Sequence, residues 1–338
     1  MKKEVITAIK KLLSTPKRIV IVPHKNPDGD AIGSTLGLMH YLKIYNHDAV
    51  VIAPNDYPEF LKWIPGEDSI IQFESQRIIA QKIINEADII FTLDFNALHR
   101  TGHDMGSFLE TSSALKIMID HHQAPDNYAQ YMYSDVSMSS TCEMVYNFIE
   151  RLGDSDKISA AIATCIYVGI MTDTGSFRFR STTSRTHNVI SSLIEKGADN
   201  TSIHNQVYDN NSYNRLQLLG RALQNLNVIP DLNTAYITLF QKDLDEFNFK
   251  KGDTEGVVNY ALSIKGIVLA AIFIENTQEG IIKISLRSKG DFSVNEFSRA
   301  HFNGGGHTNA AGGRSETSLD QTIEKFIAIL PEYKNLLS

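Results

Sequence analysis

The chain has 338 residues, 42% of them hydrophobic and 21% charged, with a net charge of -7 at neutral pH. That is the composition of an ordinary soluble globular protein with room for two domains of about 100–200 residues each. A pI near 5.9 argues against a protein that tracks long nucleic acid, which ordinarily carries a basic stripe. Small anionic ligands, held by a few converging groups or by metal, remain open. The N-terminal "MKKEVITAIKKLL" is charged throughout and lacks the apolar core and cleavage site of a signal peptide. The longest uncharged run, "ISAAIATCIYVGIMT", falls short of the ~20 residues that cross a bilayer, so a cytoplasmic protein with no membrane partner is expected. Cys142 and Cys165 lie in apolar, helix-like segments and read as buried thiols, with no disulfide framework or zinc spacing.

In chain order, "RIVIVP" is a short β-branched strand and "AIGSTLGLMHYLKIY" a helix with apolar residues three and four apart. "AVVIAP" and "SIIQF" are strand-like, "SQRIIAQKIINEA" is helical, and "DIIFTLD" and "ALKIMID" are strands again. This alternation predicts an α/β domain with a mainly parallel sheet and helices on both faces. "SSTCEMVYNFIERLG" opens with a capping box from Ser140 to Glu143 and closes at Gly153. "DKISAAIATCIYVGIMTDTG" is a second helix, apolar nearly all round. From Thr183 to Asn227 the pattern turns helical and polar and reads as a connector. "TAYITLF", "GIVLAAIFIEN", "GIIKISLRS", "VNEFSRAHF" and a helix from about Ser318 then describe a smaller α+β domain. The expected division is 1–183, 184–227 and 228–338.

In an open parallel sheet, ligands bind beyond the carboxyl ends of the strands. His24, Asp28 and Asp30 follow the first strand, Asp94 follows "DIIFTL", Asp120, His121 and His122 follow "ALKIMI", and Asp173 ends the apolar helix. Singly, an aspartate after a strand is most often a turn or helix cap, and a histidine pair is more often hydrogen-bonded structure than a metal site. Together at one edge these acids would repel without a counter-charge. A divalent metal supplies it, and mixed imidazole and carboxylate donors suit manganese, zinc, iron or cobalt better than calcium. Two ions about 3.5–4 Å apart that share a carboxylate are the arrangement for in-line attack on phosphorus.

"HKNPDGDAIGS", "LDFN", "IDHH" and "TDTGSF" resemble, in order and spacing, the four motifs of the DHH phosphoesterase superfamily. "LRSKGDFSVNEFSRAHFNGGGHTNAAGG" resembles the DHH-associated domain with its GGGH signature. The branch most similar is the NrnA-like one, of short-oligonucleotide phosphodiesterases that also remove phosphate from 3′-phosphoadenosine 5′-phosphate. The resemblance implies two divalent ions, manganese first among them, in an active site within the interdomain cleft. By it, His24 and Asp28 hold one ion, Asp30, His121 and Asp173 hold the other, and Asp94 bridges them. Asp120 orients the histidines, as a carboxylate does for a ligating imidazole, and His122 faces the scissile phosphate as proton donor. Gly33 and Ser34 support the metal loop rather than contact phosphate.

"NGGGHTNAAGG" is too glycine-dense for an ordinary strand or helix. Its Gly304, Gly305 and Gly306 let amides approach an anion closely, and with the family match His307 joins them at the substrate. Arg287, with Ser288 at the end of "IKISLRS", is placed to grip a terminal phosphate. Arg100 either touches substrate or pairs locally. Arg178 and Arg180 form a basic rim at most. The expected partners are short oligonucleotides or phosphorylated nucleotides and no long duplex, with a homodimer left open. The rival readings are a soluble cyclic-dinucleotide phosphodiesterase, an inorganic pyrophosphatase or polyphosphatase, and a non-catalytic nucleotide sensor.

Overall fold

The computed structural model describes residues 3–337. Met1 and Lys2, which open the charged N-terminal stretch, and Ser338, which ends the expected third segment, lie outside the described residues. The chain forms two compact units that divide between Asn210 and Asn211.

The first unit has strands β1 (Arg18–Val22), β2 (Asp48–Ala53), β3 (Ile71–Gln72), β4 (Ile89–Leu93), β5 (Leu115–Asp120) and β6 (Tyr131–Ser134). Its helices are α1 (Lys3–Leu12), α2 (Gly29–Ile44), α3 (Arg77–Glu86), α4 (His103–Thr111), α5 (Thr141–Leu152), α6 (Ala160–Asp173), α7 (Ser184–Glu195) and α8 (Asn200–Tyr208). All six strands run parallel in the order β3-β2-β1-β4-β5-β6. Alternate strand residues build two cores. Ile19, Ile21, Phe91 and Leu93 pack with residues of α1, α2, α5, α6 and α7, while Val20, Val22 and Ile90 pack with α3 and α4. Burial on both faces is why these strands read as unbroken apolar runs. The order reverses between β1 and β4, and at such a switch point the loops leave a crevice.

Close packing at the start of α2 and at the start of α5 fixes the loops on this edge. A Cβ on Gly33 would collide with the Cys165 carbonyl, and one on Gly29 with the Thr172 hydroxyl, so these glycines let α2 lie against α6. The capping box of α5 forms only by half. Ser140 Oγ accepts the Glu143 N–H at 3.0 Å, but the buried Glu143 carboxylate takes the hydroxyls of Ser139 and Thr186. A buried carboxylate needs such donors.

The second unit has α9 (Tyr213–Gln224), β7 (Leu226–Ile229), β8 (Thr234–Leu239), α10 (Gln241–Glu246), α11 (Val257–Leu262), β9 (Leu269–Asn276) and β10 (Ile281–Ser288). It continues with α12 (Val294–His301), β11 (Gly305–His307), β12 (Ala310–Ser315) and α13 (Leu319–Ile329). The sheet order is β11-β12-β10-β9-β8-β7, with β8 and β9 parallel and the other pairs antiparallel. One face packs on α12 and α13. The other carries α9 and α11, but its apolar cluster stops at β9 and takes in no residue of β10 or β12.

The glycine-rich stretch is a β-hairpin, contrary to the expectation from its composition. The strands tolerate glycine because a neighbour takes the Cβ space. A Cβ on Gly306 would collide with the Ala310 carbonyl of the opposing strand, and one on Gly313 with the Ser298 hydroxyl of α12. No helix among the described residues is long and apolar enough to cross a membrane.

Candidate active site and metal centre

The residues after β1, β4 and β5 and the last residue of α6 meet beyond the carboxyl ends of the strands. Asp94 lies at their middle. One of its oxygens, Oδ2, is 3.5 Å from His24 Nε2, and the other, Oδ1, is 3.5 Å from His121 Nε2. His24 Nε2 is also 3.9 Å from Asp28 Oδ2. His121 Nε2 is 3.8 Å from Asp30 Oδ2 and 3.5 Å from Asp173 Oδ2. The structure thus brings together all six residues expected to hold metal, with the two oxygens of one carboxylate turned to two donor groups.

The ordinary reading of Asp28 holds, since it caps α2. Its Oδ1 caps α2 by accepting the amides of Asp30 and Ala31, each at 3.0 Å, while Oδ2 faces His24. Asp94 has φ +66°, a left-handed backbone that costs free energy and persists where surroundings impose it. Here its N–H is tied to the Ile119 carbonyl of β5 at 3.1 Å.

His24 Nδ1 donates to the Lys25 carbonyl at 2.8 Å and His121 Nδ1 to the Met138 carbonyl at 3.2 Å. Each bond fixes the tautomer and turns Nε2 to the carboxylates, as in metal-ligating histidines. Asp120 engages His122, Oδ1 to Nδ1 at 2.7 Å, so the carboxylate expected to orient both histidines orients this one directly. Asp120 Oδ2 is buried with no hydrogen-bond partner among the described residues.

Burial opposes a charge on His24, yet the Asp94 hydrogen bond and the Asp28 and Asp94 charges push its pKa up to about 9. Burial likewise opposes His121, and Asp94 and Asp173 outweigh it, raising its pKa well above the usual value. Asp94 is held well below the carboxylate range despite burial, by hydrogen bonds from His121 and His24. Asp30 is pushed well up by burial and then by Asp94 and Asp173. Asp173 rises to about 6, chiefly through burial and against the pull of His121. Donor atoms of His24, Asp28 and Asp94, and again of Asp30, Asp94 and His121, lie within 4.8 Å of one another. The geometry, the tautomers and the donor chemistry fit two divalent cations.

Arg100 is half-buried in the turn after β4, where its charge acts against protonation of His24, and its carbonyl accepts the Lys25 amide at 2.8 Å. Sequence reasoning passed over Thr141 and Cys142. Their amides donate to the two oxygens of Asp30 at 2.6 and 2.8 Å. The signal lay in "SSTCE", read only as a helix start.

In the second unit, Arg287 on β10 pairs with Ala310 on β12, and Ala310 with His307 on β11. Residues in register share a face, so Arg287 and His307 flank a small side chain on the face where the apolar cluster stops at β9. Ser288 points the other way. Its hydroxyl donates to the Phe292 carbonyl at 2.6 Å and accepts from Asn309 at 2.8 Å. Gly304 precedes β11, and Gly305 and Gly306 lie within it.

The pattern of the "DHH family, N-terminal domain" matches residues 18–170, and that of the "DHHA1 domain" matches residues 233–335. A probable bifunctional oligoribonuclease and PAP phosphatase NrnA of Streptococcus mutans is 32% identical over 98% of this chain and 100% of its own. The chain belongs to the DHH phosphoesterase family. It is accordingly a hydrolase. An exopolyphosphatase-related protein of Bacteroides fragilis superposes with TM-score 0.94 at 42% identity, over 99% of this chain and 98% of its own. The cyclic-di-AMP phosphodiesterase GdpP of Bacillus subtilis is 28% identical over 96% of this chain, which spans 49% of that longer relative.

Proposed function

We propose that this DHH phosphoesterase hydrolyses short oligonucleotides to nucleoside 5′-monophosphates and 3′-phosphoadenosine 5′-phosphate to AMP. The observation that carries the chemistry is the divided Asp94 carboxylate, with one oxygen toward His24 and the other toward His121. The substrate class is supported by likeness to the NrnA-type relative along almost the whole chain. One bond unites the two activities, because in both a phosphorus–O3′ bond breaks and water adds to phosphorus.

His24 and Asp28 would hold one ion, Asp30, His121 and Asp173 the other, and Asp94 would serve both, with manganese the first choice. Bound divalent ions would neutralise the phosphate oxygens and make water acidic enough to attack at neutral pH. His122, held by Asp120, gives a proton to the departing 3′-oxygen. Arg287 and His307, with the amides of Gly304, Gly305 and Gly306, grip the substrate's other phosphate, and Arg100 flanks the reacting one. Ser288 serves this grip by bracing the turn after β10. We place the enzyme in the cytoplasm.

The second reading, cleavage of cyclic di-AMP or its linear product, is favoured by the likeness to GdpP. A panel decides between them: two- to five-nucleotide RNA, short DNA, 3′-phosphoadenosine 5′-phosphate, cyclic di-AMP, pyrophosphate and polyphosphate, each with manganese. Fastest initial rates on two- to five-nucleotide RNA support the first reading. Preference for the cyclic dinucleotide selects the second, and hydrolysis of pyrophosphate or polyphosphate alone overturns both.

A further inference from the structure

Thr141 touches both halves of the acidic cluster although it is no ligand by chemistry or position. Its amide donates to Asp30 Oδ2 at 2.6 Å, and its hydroxyl donates to Asp94 Oδ1 at 3.0 Å. The residue is fully buried at the first turn of α5, with Ser140 capping that turn. A buried β-branched side chain has few rotamers, so this hydroxyl is a fixed point. Asp94 has its backbone fixed from the other side, through the Ile119 carbonyl. What the backbone leaves free is the rotation of the carboxylate, and that rotation decides which oxygen faces which histidine.

We propose that Thr141 is a positioning residue for the metal centre: its hydroxyl sets the rotation of the Asp94 carboxylate, while its amide aims Asp30. The inference rests on the two-ion reading. It also gives the ions unequal dependence on Thr141. The hydroxyl binds Oδ1, the oxygen on the side of Asp30 and His121, whereas Oδ2 is turned to the side of His24 and Asp28. Removing the hydroxyl therefore weakens chiefly the ion held by Asp30, His121 and Asp173.

The test counts bound manganese by electron paramagnetic resonance of the free ion, without substrate. The wild type binds two ions. Thr141→Val, which keeps the shape and the amide, retains one at nearly wild-type affinity and loses about 10-fold or more at the other, the usual cost of removing a group that orients a ligand. Thr141→Ser restores the second ion, which a merely space-filling role would not require. Should Thr141→Val fail to fold by near-ultraviolet circular dichroism, Thr141→Ala removes the same hydroxyl without the branched methyls. Two wild-type affinities in a folded variant lacking the hydroxyl overturn the inference. A wild-type protein that binds no manganese instead overturns the two-ion reading itself.

Discussion

The two sheets use their residues in opposite ways. In the parallel sheet the central strands spend their apolar residues on two cores, and the charged groups sit at or past the strand ends where the backbone turns. In the mixed sheet the candidate residues lie within strands, on a face whose apolar cluster stops at β9. A strand-end site needs loops tied firmly to the sheet, as Asp94 is tied to β5. A sheet-face site takes its precision from register, and its spacing from whatever side chain stands between the two grips. The first arrangement suits buried charge in a fixed geometry, and the second an anion that enters from solvent.

Asp94 gives the sharpest way to break this contrast. Asp94→Ala should reduce hydrolysis of a dinucleotide by about 10³-fold or more, the scale on which charge stabilisation at the reacting group acts. Circular dichroism should stay native, and substrate capture measured with a non-hydrolysable dinucleotide should remain. Activity within tenfold of wild type in manganese would remove Asp94 from the centre.

The second sheet predicts a different signature. Arg287→Ala should raise KM by about 10–100-fold, the size of a lost charge-assisted contact, with manganese binding unchanged. Arg287→Lys should restore little, because a point charge does not replace a planar two-pronged donor. Ala310→Leu sharpens the comparison further, since it fills the row between Arg287 and His307 without touching either charge. A several-fold rise in KM of about the same kind is expected from the lost space, with kcat spared. If Ala310→Leu leaves KM alone, the row does not receive the phosphate.

The legibility of each residue in the sequence depends on where it stands in the fold. The alternation of strands and helices announced the parallel sheet, and the rule of strand ends then collected His24, Asp94 and Asp120 to His122 without knowledge of any contact. The split of Asp94 between two histidines was legible only through the family resemblance, because it depends on a left-handed φ and a neighbouring hydroxyl that leave no periodic trace. The short edge strand β6, "YMYS", was missed because four residues, only one of them buried, carry no pattern strong enough to read. The hairpin at Gly305 was misread for a related reason: its glycines answer to α12 and the opposing strand, contacts that only the fold creates. Thr141 was hidden by its own helix start, where a threonine already has an ordinary explanation.

The smallest expected effect concerns stability, and it separates the two regions by pH. With no metal, His24 has its pKa raised from 6.5 to about 9, so its stabilising contribution is full below 6.5 and is lost as pH rises toward and through 9. His121, raised in the same sense, adds to the loss. Asp173, raised from 3.8 to about 6, and Asp30, also raised, favour the fold in their protonated forms and lose that contribution as pH rises through their folded values. Asp94 has the opposite sign, but its depressed pKa matters only in acid, below 3.8. Above pH 6.5 the raised groups all act in one direction, and the metal-free protein should lose melting temperature steadily from about pH 6.5 to about 8.5. A unit the size of the first, Met1–Asn210, shifts by about 2–4 °C per kcal/mol, so a fall of several degrees is expected by differential scanning fluorimetry. Manganese displaces the same protons, so the increment it adds should widen as pH rises. A metal-free melting temperature that is flat over this range would separate the histidines from the carboxylates that the geometry pairs with them, whereas Arg287→Ala, confined to the second sheet, should leave the slope as it is.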